Sequence, residues 1–227
     1  GTWWGKVDDF GRYHTPFTNL PKGIRGEVRC GGKPVAGYDF ANFQPALLTL
    51  HERAGFNVHI PDQEREIYFQ QCRAGKIYEY VAGRCPVPTT RIEAKNDFLK
   101  MLNMENISMK EMSLYSVFAE SFPTYADLVM MIKRDDHRAM ARFLQGTEAA
   151  VMFGGVVRSF MARTMAPFFT VHDAIYTTND QKYILRDVLN EQIKILNIPT
   201  AVEEERESSP STIPPPTNVG MKVSSGY

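Results

Sequence analysis

Two aspartates of this chain stand inside short apolar segments, and this placement constrains the fold more than any other feature of the sequence. Asp39 lies near the end of the segment 35–40, and Asp173 lies in the middle of the segment 168–176. Segment 35–40 has the length and composition of a buried strand, and segment 168–176 has those of a buried strand or a hairpin with a polar pair at its middle. Because an unpaired carboxylate is costly in apolar surroundings, each aspartate is expected to have a cation or a metal ion beside it.

The rest of the chain is patterned mainly for helices. Residues 1–34 are rich in glycine and proline, which predicts loops around short extended pieces. Thr90 followed by Glu93 predicts a capped helix that runs to residue 102, and Arg91 and Lys95 then lie on one face of it. Further helices are predicted over residues 45–54, 62–82, 124–133, 180–196, and 136–163 with an interruption near Gly146.

The composition excludes several classes of protein. Lys+Arg and Asp+Glu both count 26 among the 227 residues, so any surface for nucleic acid must be a local patch. The three cysteines have no Cys-x-x-Cys spacing and predict neither a disulfide framework nor a zinc site. No apolar run approaches about 18 residues and no basic-then-apolar leader is found, so we expect no membrane partner and a cytoplasmic location.

Taken one at a time, these residues leave several functions open. A single aspartate at a strand end is most often a helix cap or a turn residue. His172 beside Asp173 is compatible with a buried His–Asp pair or with part of a hydrolase triad, although no Gly-x-Ser-x-Gly segment accompanies it. Arg91 and Lys95 can together meet a triphosphate, and two aspartates on neighbouring strands can share the divalent ions of nucleotidyl transfer.

Five short segments favour one of these functions because of their order along the chain. They are residues 11–15 with Asn19 and Arg25, residues 38–44, Arg91 to Lys95, Arg138 with residues 145–150, and residues 169–173. In this order they resemble the family A DNA polymerases and the single-subunit phage RNA polymerases over about residues 10–196. Asp39 and Lys95 are 56 residues apart and Gln145 and Asp173 are 28 apart, which leaves room for an insertion between two catalytic strands.

The resemblance implies a role for each of these residues. Asp39, Asp173 and the backbone carbonyl of Phe40 would hold two Mg²⁺ ions, with Mn²⁺ as a substitute, and Arg91 and Lys95 would complete the catalytic set by holding the triphosphate. The implied substrate-binding residues are Arg12, Asn19 and Arg25 against the primer-template, His172 near the primer terminus, Gln145 of the Gln-Gly-Thr segment, and Gln44 at the sugar-selecting position.

The resemblance also implies an α/β (α+β) fold: a polymerase palm whose antiparallel sheet is backed by helices, with a reduced helical fingers insertion. Residues 1–34 would contact the primer-template, and residues 61–135 would form the fingers-like insertion. The palm would comprise residues 35–60 around Asp39 and 136–198 around Asp173. The acidic and proline-rich composition of residues 199–227 predicts a disordered tail.

The chain also departs from the family pattern. Residues 102–104 replace the Tyr-Gly that usually closes the fingers helix, Ala174 stands after the His-Asp pair, and Gln44 replaces a glutamate. The chain is too short for the thumb and exonuclease-like domains, so we expect a fragment, a minimal polymerase, or a member of a complex with a thumb-bearing N-terminal region or subunit.

The sequence therefore predicts a template-directed nucleotidyltransferase that adds nucleotides to a primer 3′ end. A family A DNA polymerase of phage or plasmid replication, located in the host cytoplasm, is the first expectation. The alternatives are a single-subunit RNA polymerase-like enzyme and a non-catalytic nucleic-acid-binding module derived from a polymerase.

Overall fold

A computed structural model describes residues 5–9 and 11–205 of the chain. In this part the strands β1 to β7 are Lys6–Val7, Tyr13–His14, Arg29–Cys30, Lys33–Phe40, Phe168–Val171, Ala174–Thr178 and Val202–Glu204. The helices α1 to α11 are Lys22–Arg25, Phe43–Leu47, Asp62–Arg73, Ile77–Ala82, Arg91–Asn103, Asn106–Lys110, Ser113–Ser121, Pro123–Ile132, Arg138–Ala149, Arg158–Met161 and Lys182–Leu196. Shorter 3₁₀ segments span Leu48–Ala54 and Asn179–Gln181, and a π-helix spans Ala150–Val157.

One antiparallel sheet organises the protein, with β4 and β6 at its centre. Its strands run in the order β3, β4, β6 and β5, and β7 also pairs with β4. Tyr38 of β4 pairs with Ile175 of β6 and with Glu204 of β7, so these two strands flank β4 on opposite edges. Segment 35–40 lies in β4, and segment 168–176 forms the hairpin of β5 and β6, as the sequence predicted.

Gly37 lets two aromatic-rich strands pair closely. It is the cross-strand partner of Tyr176, and a Cβ atom built on Gly37 would lie 2.4 Å from the Tyr176 ring. The ring therefore lies directly over the backbone of β4. Its hydroxyl group accepts a hydrogen bond from Arg25 Nη1 at 3.3 Å.

The two faces of the sheet are buried by different parts of the chain. Successive side chains of β6 point to opposite faces. Ile175 packs into the main core, which the helices build, whereas Tyr176 packs with Phe17 of the N-terminal segment. The rings of Phe17 and Phe169 stack with centroids 4.7 Å apart, which fastens that segment to β5. The central strands are thus enclosed on both sides and form a rigid support.

The helices α3 to α8, which cover most of the predicted insertion, share one continuous core with the sheet. Helix α5 begins as the sequence predicted, because the Thr90 side chain and Glu93 form a reciprocal capping box. The buried ammonium group of Lys133 closes the other end of α5, donating to the carbonyls of Met101 and Met104 at 2.8 and 3.0 Å. These contacts fasten the C-terminal end of α5 to the end of α8.

The predicted α/β architecture, an antiparallel sheet backed by helices, is confirmed. Two details differ from the sequence prediction. Gly146 lies inside α9 and does not interrupt it, and the irregular turn is the π-helix that follows, where two adjacent glycines, Gly154 and Gly155, weaken the α-helical preference. None of the described helices combines the length and apolar composition that crossing a membrane requires.

The prediction of a disordered tail from residue 199 is wrong for residues 199–205. These residues add β7 to the edge of β4, where Ala41 N–H donates to Ala201 at 2.9 Å and Glu205 N–H donates to Gly37 at 2.9 Å. Composition misled the prediction, because edge strands tolerate charged residues. The remainder of the predicted tail, residues 206–227, and the pair Trp3-Trp4 lie outside the described residues.

Strand β7 is expected to contribute measurably to stability. A chain ending at residue 199 loses three cross-strand pairs. Its free energy of unfolding should therefore be about 2–4 kcal/mol lower than that of a chain ending at residue 205. Both truncations lack residues 206–227, so they are matched. Urea denaturation followed by circular dichroism measures the difference, and equal midpoints would show that β7 is not part of the folded sheet.

Candidate active site

A cavity of about 500 Å³ opens where the central strands β4 and β6 meet the helix α5. Strand β4 and the β5–β6 turn supply acidic side chains, helix α5 supplies cations, and the N-terminal segment closes one side. The charged and polar side chains lining it are Arg12, Lys22, Arg25, Asp39, Asn42, Gln44, Tyr78, Arg91, Lys95, Glu148, His172, Asp173, Glu203 and Glu205.

Asp39 is the next-to-last residue of β4 and is partly buried. Burial and, next in size, the negative charge of Asp173 together raise the pKa of its carboxyl from 3.8 to about 6, against an opposing effect of Lys22. Its cross-strand partner in β7 is Glu203, whose charge acts in the same direction. A positive charge in addition to that of Lys22 would therefore stabilise the ionised form of Asp39.

Asp173 occupies the two-residue turn between β5 and β6. Val171 and Ala174 pair across the hairpin, and His172 takes a left-handed conformation with φ of 54°. Such a conformation is uncommon for a residue with a side chain and costs on the order of 1 kcal/mol. Burial raises the pKa of Asp173, whereas its own backbone N–H, Lys95 and Arg12 lower it. The strained turn thus presents Asp173 beside Asp39.

The donor set of this cavity suits a divalent cation. Two carboxylates with raised pKa values face the same space, which is the electrostatic condition that a bound cation relieves. Phe40, whose backbone carbonyl was predicted as a third ligand, also lines the cavity. Among the described residues, no group of three or more His, Cys, Asp or Glu side chains is close enough to hold a metal ion, so further ligands would come from substrate or water.

Helix α5 presents the two predicted cations on the opposite wall. Arg91 donates to the carbonyl of Gly75 at 2.8 Å and forms an ion pair with Glu79. Lys95, one turn later, is exposed, and its charge lowers the pKa of Asp173. Both positions line the cavity. Their spacing of four residues on a capped helix is therefore sufficient to bring two cations to the acidic pair.

The N-terminal segment contributes Arg12 and Arg25. Arg12 makes a bidentate ion pair with Glu148 of α9, with both N···O distances at 2.9 Å. Arg25 donates through Nε to the carbonyl of Leu20 at 3.0 Å. Desolvation lowers the pKa of His172, and the nearby Arg12 lowers it further. Both arginines and the histidine line the cavity, as does Gln44.

Two predicted substrate-binding residues lie elsewhere. Asn19 is exposed and does not line the cavity. Gln145 is half-buried on α9, one turn before Glu148, and is also outside the lining. The structure thus brings Arg12, Arg25, Asp39, Phe40, Gln44, Arg91, Lys95, His172 and Asp173 together and leaves Asn19 and Gln145 apart.

Other cavity residues were missed by sequence reasoning. Glu148 belongs to residues 145–150, one of the five ordered segments. A carboxylate on the predicted buried face of this helix was the sequence feature that could have indicated a role in the site. Glu203 and Glu205 were assigned to the tail, although their spacing of two places them on one face of a strand. Lys22 forms an ion pair with Glu205 at 3.1 Å. No sequence pattern around Lys22 distinguishes it from other surface lysines.

Comparison with known proteins identifies the architecture. No family model matches the sequence, and no curated protein matches it. Solved structures do match, and one of them is the POL domain of Pol1 from M. smegmatis in complex with DNA primer-template and dNTP. The TM-score is 0.61 with 14% sequence identity, over 89% of this chain and 46% of that chain.

The chain has a DNA-polymerase-like fold. At 14% identity the likeness establishes the fold alone, and this chain spans about half the length of the neighbouring structure. The match covers 89% of this chain. The reaction and the roles of individual residues are inferred below.

Replacing Asp39 by asparagine should stabilise the protein above pH 6. The folded-state pKa of about 6 exceeds the ordinary value of 3.8, so the folded protein takes up more protons than the unfolded chain between these values. Wild-type stability therefore falls relative to the variant as pH rises from about 4 to 6, and the variant gains about 1–2 kcal/mol at neutral pH. Urea unfolding of both proteins from about pH 4 to pH 7 in metal-free buffer measures the difference in their free energies of unfolding. A difference that does not change with pH would contradict the prediction.

Proposed function

We propose that this protein is a template-directed nucleotidyltransferase that extends a primer 3′ end, with DNA as the first expected product. The observation that supports it is the pairing of two carboxylates, Asp39 and Asp173, in one cavity opposite the cations of α5. The polymerase-like fold supports the same reaction class. Membership of family A and the use of two metal ions are parts of this proposal.

In the proposed reaction the primer 3′ hydroxyl gives up its proton to water, and its oxygen forms a bond to the α-phosphorus of the nucleotide. The bond from that phosphorus to the α–β bridging oxygen breaks, and pyrophosphate leaves with the electron pair. Divalent ions held by Asp39, Asp173 and the Phe40 carbonyl would supply electrostatic stabilisation of the phosphate oxygens and a more acidic primer hydroxyl. The chain itself keeps one carboxylate on strand β4 and the other in the tight turn between β5 and β6, so little reorganisation is needed.

Lys95 and Arg91 would bind the triphosphate. Lys95 is exposed and positioned to meet phosphate directly, whereas Arg91 would have to exchange its contact with Glu79 for the nucleotide. Such an exchange replaces one carboxylate by a more highly charged phosphate chain, which an arginine can grip with two N–H groups. The paired state of Arg91 keeps it ordered before the nucleotide arrives.

Arg12, Arg25 and His172 would lie at the primer end of the cavity. All three line it. Desolvation, and after it the charges of Arg12 and Arg25, lower the pKa of His172, which favours the neutral ring that can donate or accept a hydrogen bond. Gln44 also lines the cavity, with an amide instead of a carboxylate. An amide lacks the negative charge that a glutamate would place near the sugar. Gln44 therefore leaves both deoxyribose and ribose open as the sugar, and ribose is what the RNA polymerase-like alternative requires.

The proposal is tested by primer extension on a primer-template duplex, with separate deoxyribonucleotide and ribonucleotide pools and Mg²⁺ or Mn²⁺. Wild type should add nucleotides, and Asp39→Asn and Asp173→Asn should reduce addition by at least about 10³-fold while still binding the duplex. Preference for ribonucleotides would favour the RNA polymerase-like alternative. A wild type that binds the duplex but adds nothing from either pool, even with a thumb-bearing partner supplied, would leave only the binding-module alternative.

Lys95→Ala should lower kcat/KM for the nucleotide by about 10- to 100-fold, because it removes a charged contact to the triphosphate. The matched control is Lys100→Ala, an exposed lysine of the same helix that does not line the cavity. Both changes should alter unfolding free energy by less than about 0.5 kcal/mol. Equal kinetics for the two variants would mean that α5 does not face the nucleotide.

A further inference from the structure

Arg12 and Glu148 form an enclosed ion pair in the wall of the cavity. The Nε and Nη2 atoms of Arg12 donate to Oε1 and Oε2 of Glu148, both at 2.9 Å. The side chain of Arg12 is 15% exposed and that of Glu148 is 3% exposed. The two residues are 136 positions apart in the chain, so the N-terminal segment and α9 must both be in place for this contact to form.

The pair changes what Arg12 can offer to a ligand. The guanidinium is planar and carries its donors in a fixed fork, and Glu148 occupies two of its three nitrogens. Because the carboxylate cancels the positive charge, the remaining N–H groups at the cavity are hydrogen-bond donors with little net charge. The charge of Arg12 also acts on His172 and Asp173, which places it at the same end of the cavity as the β5–β6 turn.

We propose that Glu148 is a positioning residue that neutralises Arg12 and fixes its guanidinium as a hydrogen-bond donor to the sugar or base edges of the primer-template. This inference rests on the proposed function, since the ligand is the same duplex. An unpaired arginine would be drawn to any phosphate along the backbone, whereas a neutralised and immobile one hydrogen-bonds acceptors at one fixed position. Glu148 would thus restrict the hydrogen bonds of Arg12 to a primer end that lies at one position in the cavity.

Salt dependence distinguishes the two kinds of contact. Each cation that neutralises a phosphate makes the slope of log K against log salt steeper by about 0.9, and a neutral donor contributes almost nothing. Glu148→Gln keeps the size of the side chain but leaves Arg12 charged. It should therefore steepen the slope by about 0.9, and the double variant Arg12→Gln/Glu148→Gln should return to the wild-type slope with weaker binding.

A matched control is available in Glu64, which is also buried and lies outside the cavity lining. Its Oε1 accepts a hydrogen bond from the backbone N–H of Tyr125 at 3.0 Å. Glu64→Gln changes the net charge of the protein by the same amount as Glu148→Gln and also removes a buried carboxylate. It should leave the salt slope unchanged, because Glu64 does not neutralise a cation at the cavity.

The experiment is equilibrium binding of a fluorescent DNA primer-template duplex to the full chain over a series of salt concentrations, without metal or nucleotide. It is done at about pH 8, because burial raises the pKa of Glu148 to about 7 and the carboxylate is then mostly ionised. Fluorescence anisotropy gives the binding constant at each salt concentration, and circular dichroism verifies that each variant is folded.

A steeper slope for Glu148→Gln alone supports the proposal. A folded Glu148→Gln with the wild-type slope overturns it, since Arg12 would then gain no phosphate contact on losing its partner. If Glu148→Gln does not fold, the double variant decides: a slope shallower than wild type by about 0.9 means that Arg12 acted as a cation, which also overturns the proposal. A wild type that does not bind the duplex at all instead overturns the proposed function, and this inference with it.

Discussion

The burial of two carboxylates, Asp39 and Asp173, in one cavity is the constraint on which the rest of the structure depends. Each carboxylate is partly removed from water and each is disfavoured in its charged form. A protein that holds two such groups together must support them on elements that cannot relax apart. The hydrogen-bonded pair of β4 and β6 does this, because it is buried by helices on one face and by Phe17 on the other.

The surrounding charges form a set of internal pairs. Arg12 contacts Glu148, Lys22 contacts Glu205, and Arg91 contacts Glu79. In a chain with no net charge, such pairing keeps the cations of the cavity ordered without a general attraction to nucleic acid. Binding of a polyanion would then proceed by exchange of some of these partners, which favours ligands whose phosphates match the positions of the released cations.

Much of the site was accessible from short-range sequence patterns. The capping box of Thr90 and Glu93 set the start of α5, and this start fixed the face on which Arg91 and Lys95 appear. The polar pair His172-Asp173 within an apolar segment indicated the β5–β6 turn. Glu148, Glu203 and Glu205 were missed as site residues, because their contacts lie across the fold and their local sequences resemble an ordinary helix and a polar tail.

The sequence by itself determined the strand that bears Asp39, the hairpin that bears Asp173 and the helix that bears the cations, because strand and helix periodicity and capping act within a few residues. The tertiary structure alone decided which of these residues share one cavity. It placed Asn19 and Gln145 outside the lining of this cavity, added β7 to the sheet edge, and paired Arg12 with Glu148. These outcomes depend on packing between distant segments, which no local pattern encodes.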